Sequence, residues 1–299
     1  MTGDGPTAGA WRRAAAARIA AEGPADASPA LEADLLLAHA LGTTRTALRA
    51  HPDTPLDDGA RAALEALLAR RLDGEPTAYL TGRRGFMDRE FAVRPGVLVP
   101  RPETELLVEL AVGAALALAR DPARRPGADR RPLLVLELGT GSGAVIASIA
   151  AGLERAGVGA ITAATDVDPI ALELARENAH APGVLALARA SWLDAIGDAS
   201  TDVLASNPPY VAAGDPHLEA LRHEPLHALA SGPDGLDAIR EIAAGAARVL
   251  RPGGAVLLEH GHDQGEAVRS LLGARGLTGV ETHADLGGRE RVSVATRRR

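Results

Sequence analysis

The sequence predicts a doubly wound α/β domain that follows a small helical domain. From residue 133 onward, short apolar runs alternate with helical stretches. This alternation is typical of a largely parallel sheet with helices on both faces. A glycine-rich turn follows the first run, at the position where such sheets bind ligands. We therefore expect a doubly wound, seven-stranded sheet that ends in a C-terminal strand pair.

Residues 1–82 are predicted to form the helical N-terminal domain, in which residues 1 to about 9 are predicted to be disordered. Ser28 followed by Pro29 is typical of the start of a helix. Asp57 and Asp58 precede a second helix, whose leucines recur at helical spacing. Nothing in this segment looks catalytic, so an adaptor role and a purely structural role both stay open.

Residues 83–100 are predicted to link the two domains. Their aromatic and β-branched residues stand beside glycines, which favours a hairpin and a short strand. Pro102 then begins a predicted helix that runs to about residue 120, with carboxylates in its first turn. The polar segment 121–131 is predicted to be an exposed loop. The α/β domain as a whole is predicted to span residues 101–299.

The predicted strands of the sheet are apolar runs of five or six residues. The first is uninterrupted, as expected of a strand buried on both faces. The runs lie at residues 133–138, 160–165, 184–188, 202–206, 254–259, 277–282 and 291–296.

Composition excludes several classes of chemistry. The chain has no cysteine and no lysine, which excludes disulfides, thiolate zinc sites, Schiff bases and a Walker lysine. The net charge of -7 disfavours a protein that wraps nucleic acid. No stretch is long and apolar enough to span a membrane. We expect a cytoplasmic monomer with no membrane association and no stable nucleic-acid partner.

The turn after the first strand is the candidate cofactor loop. Its glycines allow a sharp turn and the close approach of a ligand. The spacing is G-x-G-x-G, whereas dinucleotide enzymes use G-x-G-x-x-G. The preceding Glu137 suits the cationic amino-acid end of S-adenosylmethionine, although a tight turn without a ligand stays open. The predicted binding residues here are Glu137, Gly139, Thr140, Gly141, Ser142 and Gly143.

Two aspartates follow the second strand. Asp166 stands where a carboxylate can accept both ribose hydroxyls of a nucleoside. NAD enzymes place an acid similarly, so Asp166 alone does not select the cofactor. Asp168 is predicted to cap the next helix, which begins at Pro169.

The tetrapeptide after the fourth strand is the predicted catalytic motif, Asn207-Pro208-Pro209-Tyr210. Methylation of an amide or aryl amine requires the nitrogen lone pair to leave conjugation, and two acceptors aimed at the two N–H groups favour this. The Asn207 side-chain oxygen and the Pro208 carbonyl are the candidate acceptors, held in place by the prolines. Tyr210 offers a flat wall for a planar group. The alternative is an ordinary Asn-Pro turn.

Together these motifs resemble the HemK/PrmC family, the protein-(glutamine-N5) methyltransferases of peptide chain release factors. The resemblance covers nearly the whole chain after about residue 75. The matching stretches are VLVPRPETE (97–105), ELGTGSG (137–143), TDVDPIALELARENA (165–179), NPPY (207–210), EHG (259–261) and DLGGRERV (285–292).

This resemblance implies a Rossmann-like class I S-adenosylmethionine-dependent methyltransferase domain. It implies that Gly139 to Gly143 and Asp166 hold the cofactor and that Trp192 flanks the adenine. The NPPY motif would bind the glutamine of the Gly-Gly-Gln loop in a class 1 release factor, and the helical domain would help to dock that factor. The sequence departs from the family at Ser191, where an acid is usual, and at His260, where an aliphatic residue is expected.

Several alternatives remain at this stage. Arg101 could bind substrate or brace the structure. A metal site in the stretch 260–263, which holds two histidines and an aspartate, is disfavoured because it lacks further ligands. An adenine-N6 methyltransferase would need a recognition insertion or a basic groove. An idle adaptor would not need paired acceptors. An NAD(P) dehydrogenase is disfavoured by the glycine spacing and by the lack of an evident hydride-relay residue.

Overall fold

The structure is a computed structural model that describes residues 7–25, 27–122, 131–179 and 184–299. The chain divides into two compact units. The helical unit comprises Met1–Arg83 with Glu219–His223, and the α/β unit comprises Arg84–Leu218 with Glu224–Arg299.

Five helices form the described part of the helical unit: α1 (Ala8–Glu22), α2 (Pro29–Ala40), α3 (Arg45–Ala50), α4 (Asp58–Leu72) and α5 (Thr77–Thr81). Thr7, Thr44 and Asp57 each accept a backbone N–H from three residues further along, which satisfies a helix N-terminus. The helix starts predicted near residues 28 and 57 are therefore confirmed. Ser28 makes no such side-chain bond, and its helix begins with a proline that has no N–H to satisfy.

Aliphatic side chains and one tryptophan form the core of the helical unit. The buried set includes Trp11, Ile19, Leu36, Leu37, Leu64 and Leu68. The Trp11 indole N–H donates to Glu65, so its polar edge is satisfied at the margin of the core. Asp34 is buried but pairs with Arg12 and Arg49, so its charge is compensated.

The α/β unit begins with the predicted hairpin. Its strands are β1 (Arg83–Phe86) and β2 (Arg89–Ala92). The short strand predicted after it does not form, because Pro95 and Pro100 lack the N–H groups that a ladder needs. A 3₁₀ turn (Pro102–Thr104) then leads into α6 (Glu105–Arg120), the predicted helix. Residues 123–130 of the predicted loop lie outside the described residues.

The remaining strands and α-helices are β3 (Leu133–Leu138), α7 (Ala144–Arg155), β4 (Ala160–Asp166), α8 (Pro169–Asn178), β5 (Val184–Arg189), β6 (Thr201–Ser206), α9 (Asp237–Val249), β7 (Leu250–Glu259), α10 (Gly265–Ala274), β8 (Leu277–Ala284) and β9 (Glu290–Arg297). They alternate, except that β6 follows β5 and β9 follows β8 without an α-helix between them.

The seven-stranded sheet has the order β5-β4-β3-β6-β7-β9-β8. The five strands from β5 to β7 are parallel, whereas β9 runs antiparallel to both of its neighbours. The predicted doubly wound sheet and its C-terminal strand pair are thus confirmed. The chain winds outward from β3 to β5 and then returns to β6, so the winding reverses between β3 and β6. Ligands bind at the carboxyl ends of the strands at such a reversal.

Helices cover both faces of the sheet. Apolar side chains of α6 and α7 pack with one face, and those of α9 and α10 pack with the other. Adjacent residues of one strand divide between the faces, as Val135 and Leu136 do. The core is aliphatic except for Phe86 and Phe91, whose rings meet edge to face at 6.2 Å. Within the described ranges, no helix has both the length and the apolar character to cross a membrane.

Candidate active site

A cleft opens in the α/β unit at the carboxyl ends of β3, β4 and β6. Its lining is mostly apolar with a few polar side chains, as is typical of small-molecule sites. Most of the residues predicted for the site line it: Arg101, Glu137, Gly139, Thr140, Gly141, Ser142, Asp166, Trp192, Asn207 and Pro209. Gly143, Pro208 and Tyr210 lie next to these residues in the chain but are not part of the lining.

The glycine loop leads from β3 to α7 in a left-handed conformation. Gly139, Gly141 and Gly143 have φ angles of 67°, 53° and 78°, a region that costs other residues energy. A Cβ at Gly143 would lie 2.9 Å from the Cα of Ala175, so this glycine permits α7 to pack against α8. Gly139 and Gly141 instead face the cleft, where they leave room for a ligand to approach the backbone.

Glu137 lies beneath this loop and is 2% exposed. Its Oε2 accepts hydrogen bonds from the Thr140 hydroxyl at 2.6 Å and from the Ile146 N–H at 3.1 Å. Burial raises the pKa of Glu137 to about 8, although these two hydrogen bonds lower it. Because its ionisation is so costly, a cationic group bound beside Glu137 in the cleft would favour the charged carboxylate. The predicted role of Glu137 in cofactor binding stays a prediction.

Asp166 ends β4 and presents its carboxylate to the same cleft. Its Oδ2 accepts the Gly141 N–H and its Oδ1 accepts the Asp168 N–H, both at 2.9 Å. Each oxygen has a second lone pair, so the group can still accept from two hydroxyls. Asp168 caps α8 by accepting the Ile170 N–H at 2.8 Å, which confirms its predicted role.

Trp192 lines the cleft beside the glycine loop. Its ring lies 3.5 Å from the position that a Cβ on Gly139 would take. Its φ angle of 39° is uncommon for a large side chain, so the surrounding structure holds this indole in place. Ser191, where the resemblance led us to expect an acid, is exposed and does not line the cleft.

The orientation of the Asn207 side chain is set by Thr104. Asn207 follows the last residue of β6, and its Nδ2 donates to the Thr104 Oγ1 at 3.1 Å. With the NH₂ group engaged there, the amide oxygen is the atom left for the cleft. Asn207 is therefore placed as a hydrogen-bond acceptor, which is what a bound N–H group requires.

Tyr210 is anchored behind the cleft. Its hydroxyl donates to the Glu259 Oε1 at 3.4 Å, and its backbone carbonyl accepts from the Gln264 Nε2 at 3.0 Å. Burial raises the pKa of the Tyr210 phenol, so it stays protonated. Its ring packs against the core of the sheet. Its predicted role as a wall for the substrate stays a prediction.

Sequence reasoning did not identify Thr104 and Glu259 as parts of the site. Glu259 ends β7 and is fully buried, and burial raises its pKa to about 7. The Thr104 hydroxyl, by hydrogen bonding, and the charge of Arg291 lower this pKa, whereas the charge of Glu103 raises it. The sequence does contain a signal for Glu259, because this carboxylate directly follows a predicted apolar strand. That strand lies beside the one that leads into the NPPY motif.

Arg101 lies at the rim of the cleft and is paired with a buried acid. Its guanidinium donates to the Glu224 Oε1, and the Glu224 Oε2 accepts the Val99 N–H at 3.0 Å. The Glu224 side chain is only 2% exposed, whereas that of Arg101 is 32% exposed. The pair braces the segment around Val99 and also keeps the Arg101 guanidinium at the cleft. Both predicted roles of Arg101, substrate binding and structural support, therefore stay open.

The histidines after β7 do not converge. His260 is buried, and its ring nitrogens lie 2.8 Å from the Gly261 carbonyl and 2.9 Å from the Ser293 hydroxyl. Burial lowers the pKa of His260, which keeps the ring neutral within the sheet. His262 and Asp263 are exposed. Within the parts of the chain that the structure describes, no group of three or more potential ligands is arranged to hold a metal ion.

Known proteins resemble this chain over nearly its full length. Residues 10–82 match the PrmC N-terminal domain family, and residues 128–267 match the methyltransferase small domain family. A protein of Burkholderia pseudomallei is 47% identical over 94% of this chain and 95% of its own length. Proteins of Xylella fastidiosa and Bordetella pertussis are each 45% identical, over 88% and 89% of this chain and 92% and 94% of their own lengths. All three are named release factor glutamine methyltransferase.

Proposed function

This chain belongs to the release factor glutamine methyltransferases, and on that premise we propose its reaction and its site. The chain transfers the methyl group of S-adenosylmethionine to the side-chain amide nitrogen (N5) of the glutamine in the Gly-Gly-Gln motif of class 1 peptide chain release factors. The observation that carries the proposed site is the Asn207 amide, whose Nδ2 is engaged by Thr104 and whose oxygen is left for an incoming N–H group.

The residues of the cleft fit S-adenosylmethionine. Gly139 and Gly141 leave space where a Cβ would intrude on the cleft, and Asp166 retains acceptor capacity for the two ribose hydroxyls. Trp192 supplies a flat face for the adenine, and the Glu137 carboxyl is available to the cationic amino group. When bound there, S-adenosylmethionine supplies an electrophilic methyl group on a sulfonium.

The chain's own contribution at the reacting nitrogen is to hold and orient the amide. The Asn207 Oδ1 and the Pro208 carbonyl accept the two N–H groups, which draws the nitrogen lone pair out of conjugation with the glutamine carbonyl. As the new N–C bond forms, the electrons of the broken S–CH₃ bond stay on sulfur. The nitrogen becomes acidic and gives one of its two protons to solvent water. The neutral amide product needs no metal and no strong base from the protein. Preorganised acceptors of this kind act through placement.

The partner of the reaction is a protein. We assign to the helical unit a part in docking the release factor, because it matches the PrmC N-terminal domain family. We infer that the reaction takes place in the cytoplasm, where release factors act at the ribosome. We expect the chain to act as a monomer and without a stable nucleic-acid partner. The adenine-methylating alternative gains no support from the named relatives.

The test is methyl transfer from radiolabelled S-adenosylmethionine to a purified class 1 release factor. A factor with the Gly-Gly-Gln glutamine changed to alanine is the matched control. Label on the first factor and none on the second is the expected result. Equal label on both would move the target elsewhere on the factor, and no label on either, with cofactor binding intact, would overturn the proposed function.

The role of the NPPY motif has its own test. Asn207→Ala removes one of the two acceptors, so it should lower kcat by about 10²- to 10³-fold, as the loss of one preorganised polar group at a reacting centre typically does. The affinity for S-adenosylmethionine should change much less. A variant that keeps wild-type kcat would refute the assignment of Asn207.

A further inference from the structure

We propose that Glu259 is a positioning residue that determines, through the Thr104 hydroxyl, which end of the Asn207 amide faces the substrate. This inference rests on the proposed function, because an acceptor is needed at the cleft only if the target carries N–H groups. Neither residue contacts the target itself, and both act through Asn207.

The fold places the three side chains in a row. β6 and β7 are parallel neighbours in which Ser206 pairs with Leu258. The next residues, Asn207 just after β6 and Glu259 at the end of β7, therefore lie side by side. Thr104 comes from the 3₁₀ turn before α6 and is only 3% exposed. Thr104 and Glu259 are both buried, and Asn207 is half-buried at the cleft.

The hydrogen bonds connect the row in one direction. The Asn207 Nδ2 donates to the Thr104 Oγ1 at 3.1 Å, so the proton of the Thr104 hydroxyl needs an acceptor elsewhere. The Thr104 hydroxyl lies near enough to the Glu259 carboxyl to lower the pKa of that carboxyl. On its other side, this carboxyl receives the Tyr210 hydroxyl at its Oε1. Its Oε2 is buried and has no hydrogen-bond partner within the described residues, so this oxygen is the acceptor open to the Thr104 proton.

An ionised carboxylate fixes the polarity of this chain of hydrogen bonds. A carboxylate can only accept, so the Thr104 hydroxyl must donate its single proton to Glu259. The Thr104 oxygen can then only accept from Asn207, which requires the NH₂ group of Asn207 to face Thr104. The amide oxygen consequently faces the cleft, where the N–H groups of the target need it.

Protonation of Glu259 would remove this constraint. A protonated carboxyl can donate to the Thr104 oxygen, and the threonine proton is then free for the Asn207 oxygen. The amide can turn over and present its NH₂ group to a target that also carries N–H groups. Burial and the charge of Glu103 raise the pKa of Glu259, while the charge of Arg291 lowers it, with the balance at about 7. The neighbouring His260 is neutral and adds no charge.

The sign of the pH dependence follows from the active form. The ionised form of Glu259 is the one that holds the acceptor in place, so kcat should be highest above pH 7 and should fall as the pH drops through about 7. Tyr210 is the other titratable group that contacts Glu259, and it stays protonated across this range.

The kinetic test compares Thr104→Val with the matched Thr104→Ser at saturating cofactor. Valine keeps the shape but removes the hydroxyl, so kcat should fall about tenfold, the loss expected when one oriented hydrogen bond is removed. The KM for the release factor should change by less than about threefold, because the docking surface is intact. Serine keeps the hydroxyl, so Thr104→Ser should retain most of the wild-type kcat and the decrease of kcat as the pH drops through about 7. Glu259→Gln should have a lower kcat without that fall.

A second readout needs neither cofactor nor substrate. The chain has only two asparagines, Asn178 and Asn207, so protein labelled with ¹⁵N-asparagine shows two side-chain amide groups by NMR. The Asn178 amide bonds to the backbone of Ala92 and Ser142 and serves as an internal reference. At pH 8, the Asn207 NH₂ protons should show contacts to the Thr104 methyl group, and these should weaken below about pH 6.

The outcomes separate this inference from the proposed function. An Asn207 signal that is insensitive to pH in the wild type, or wild-type kcat in Thr104→Val, would overturn the inference. If Thr104→Val fails to fold, Glu259→Gln decides the question by the presence or absence of the fall near pH 7. A wild-type protein that methylates no release factor would instead overturn the proposed function, while the NMR titration would still test the row.

Discussion

Replacement of Glu137 by glutamine should stabilise the protein and should do so increasingly as the pH rises. Burial raises the pKa of this carboxyl from about 4.5 to about 8, so the folded state keeps a proton that the unfolded chain releases. Between these two pH values, the wild type should therefore lose stability by about 1.4 kcal/mol per pH unit. Glutamine has no such proton to release and can still accept the hydrogen bonds of Thr140 and Ile146 through its oxygen.

The size of the effect follows from the two pKa values. At pH 7, the difference of roughly 2.5 units corresponds to about 3 kcal/mol in favour of Glu137→Gln, and near pH 4.5 the difference should vanish. Imperfect hydrogen bonding by glutamine would add a constant offset of about 1 kcal/mol that does not change with pH. The assay is urea unfolding of both proteins at pH 5, 6, 7 and 8.

The slope of the difference against pH is the decisive quantity. A difference that stays constant from pH 5 to 8 would refute the reasoning, since it would mean that Glu137 is already ionised in the folded protein. The same variant should bind S-adenosylmethionine more weakly, because the carboxyl proposed to meet the amino group is gone. A gain in stability with a loss in binding is the pattern expected of a residue retained for function.

Three further outcomes are expected. Gly143→Ala should lower the free energy of unfolding, measured by urea denaturation, by about 1–3 kcal/mol, because the φ of Gly143 is positive and a Cβ there would meet α8 at 2.9 Å. The control is Gly113→Ala in α6, where a Cβ meets nothing, and it should not lower the free energy of unfolding. Asp166→Asn should weaken S-adenosylmethionine binding about 10- to 100-fold by calorimetry, since a charged acceptor is lost. S-adenosylmethionine should change the tryptophan fluorescence of a Trp11→Phe protein, whose remaining indole is Trp192, and should not change that of Trp192→Phe.

The sheet could be predicted from the sequence because each buried parallel strand is a short apolar run. The run at residues 133–138 coincides with β3, and the glycine turn after it lies where the sheet reverses its winding. The prediction of a strand after the hairpin was wrong. Valines beside a glycine are typical of a strand, but Val97 and Val99 are buried in an irregular segment between two prolines.

The site could be predicted as far as its loops, but not as far as the contacts between them. Asn207 stands out in the sequence because its motif is local. Thr104 lies 103 residues earlier in the chain, and no local pattern connects the two. The pairing of Arg101 with Glu224 is equally distant, and only the folded chain brings it about. Contacts of this range depend on the strand order, which periodicity alone does not determine.

The position of β9 has a consequence for synthesis of the protein. β9 follows both β7 and β8 in the chain but lies between them in the sheet. Until β9 emerges from the ribosome, β7 is an open edge and β8 has no partner in the sheet. Glu259, at the end of β7, pairs with Val292 on β9. A nascent chain thus completes the surroundings of its active site only after β9 has been made, and strands that stay unpaired until then are open to wrong pairing and aggregation.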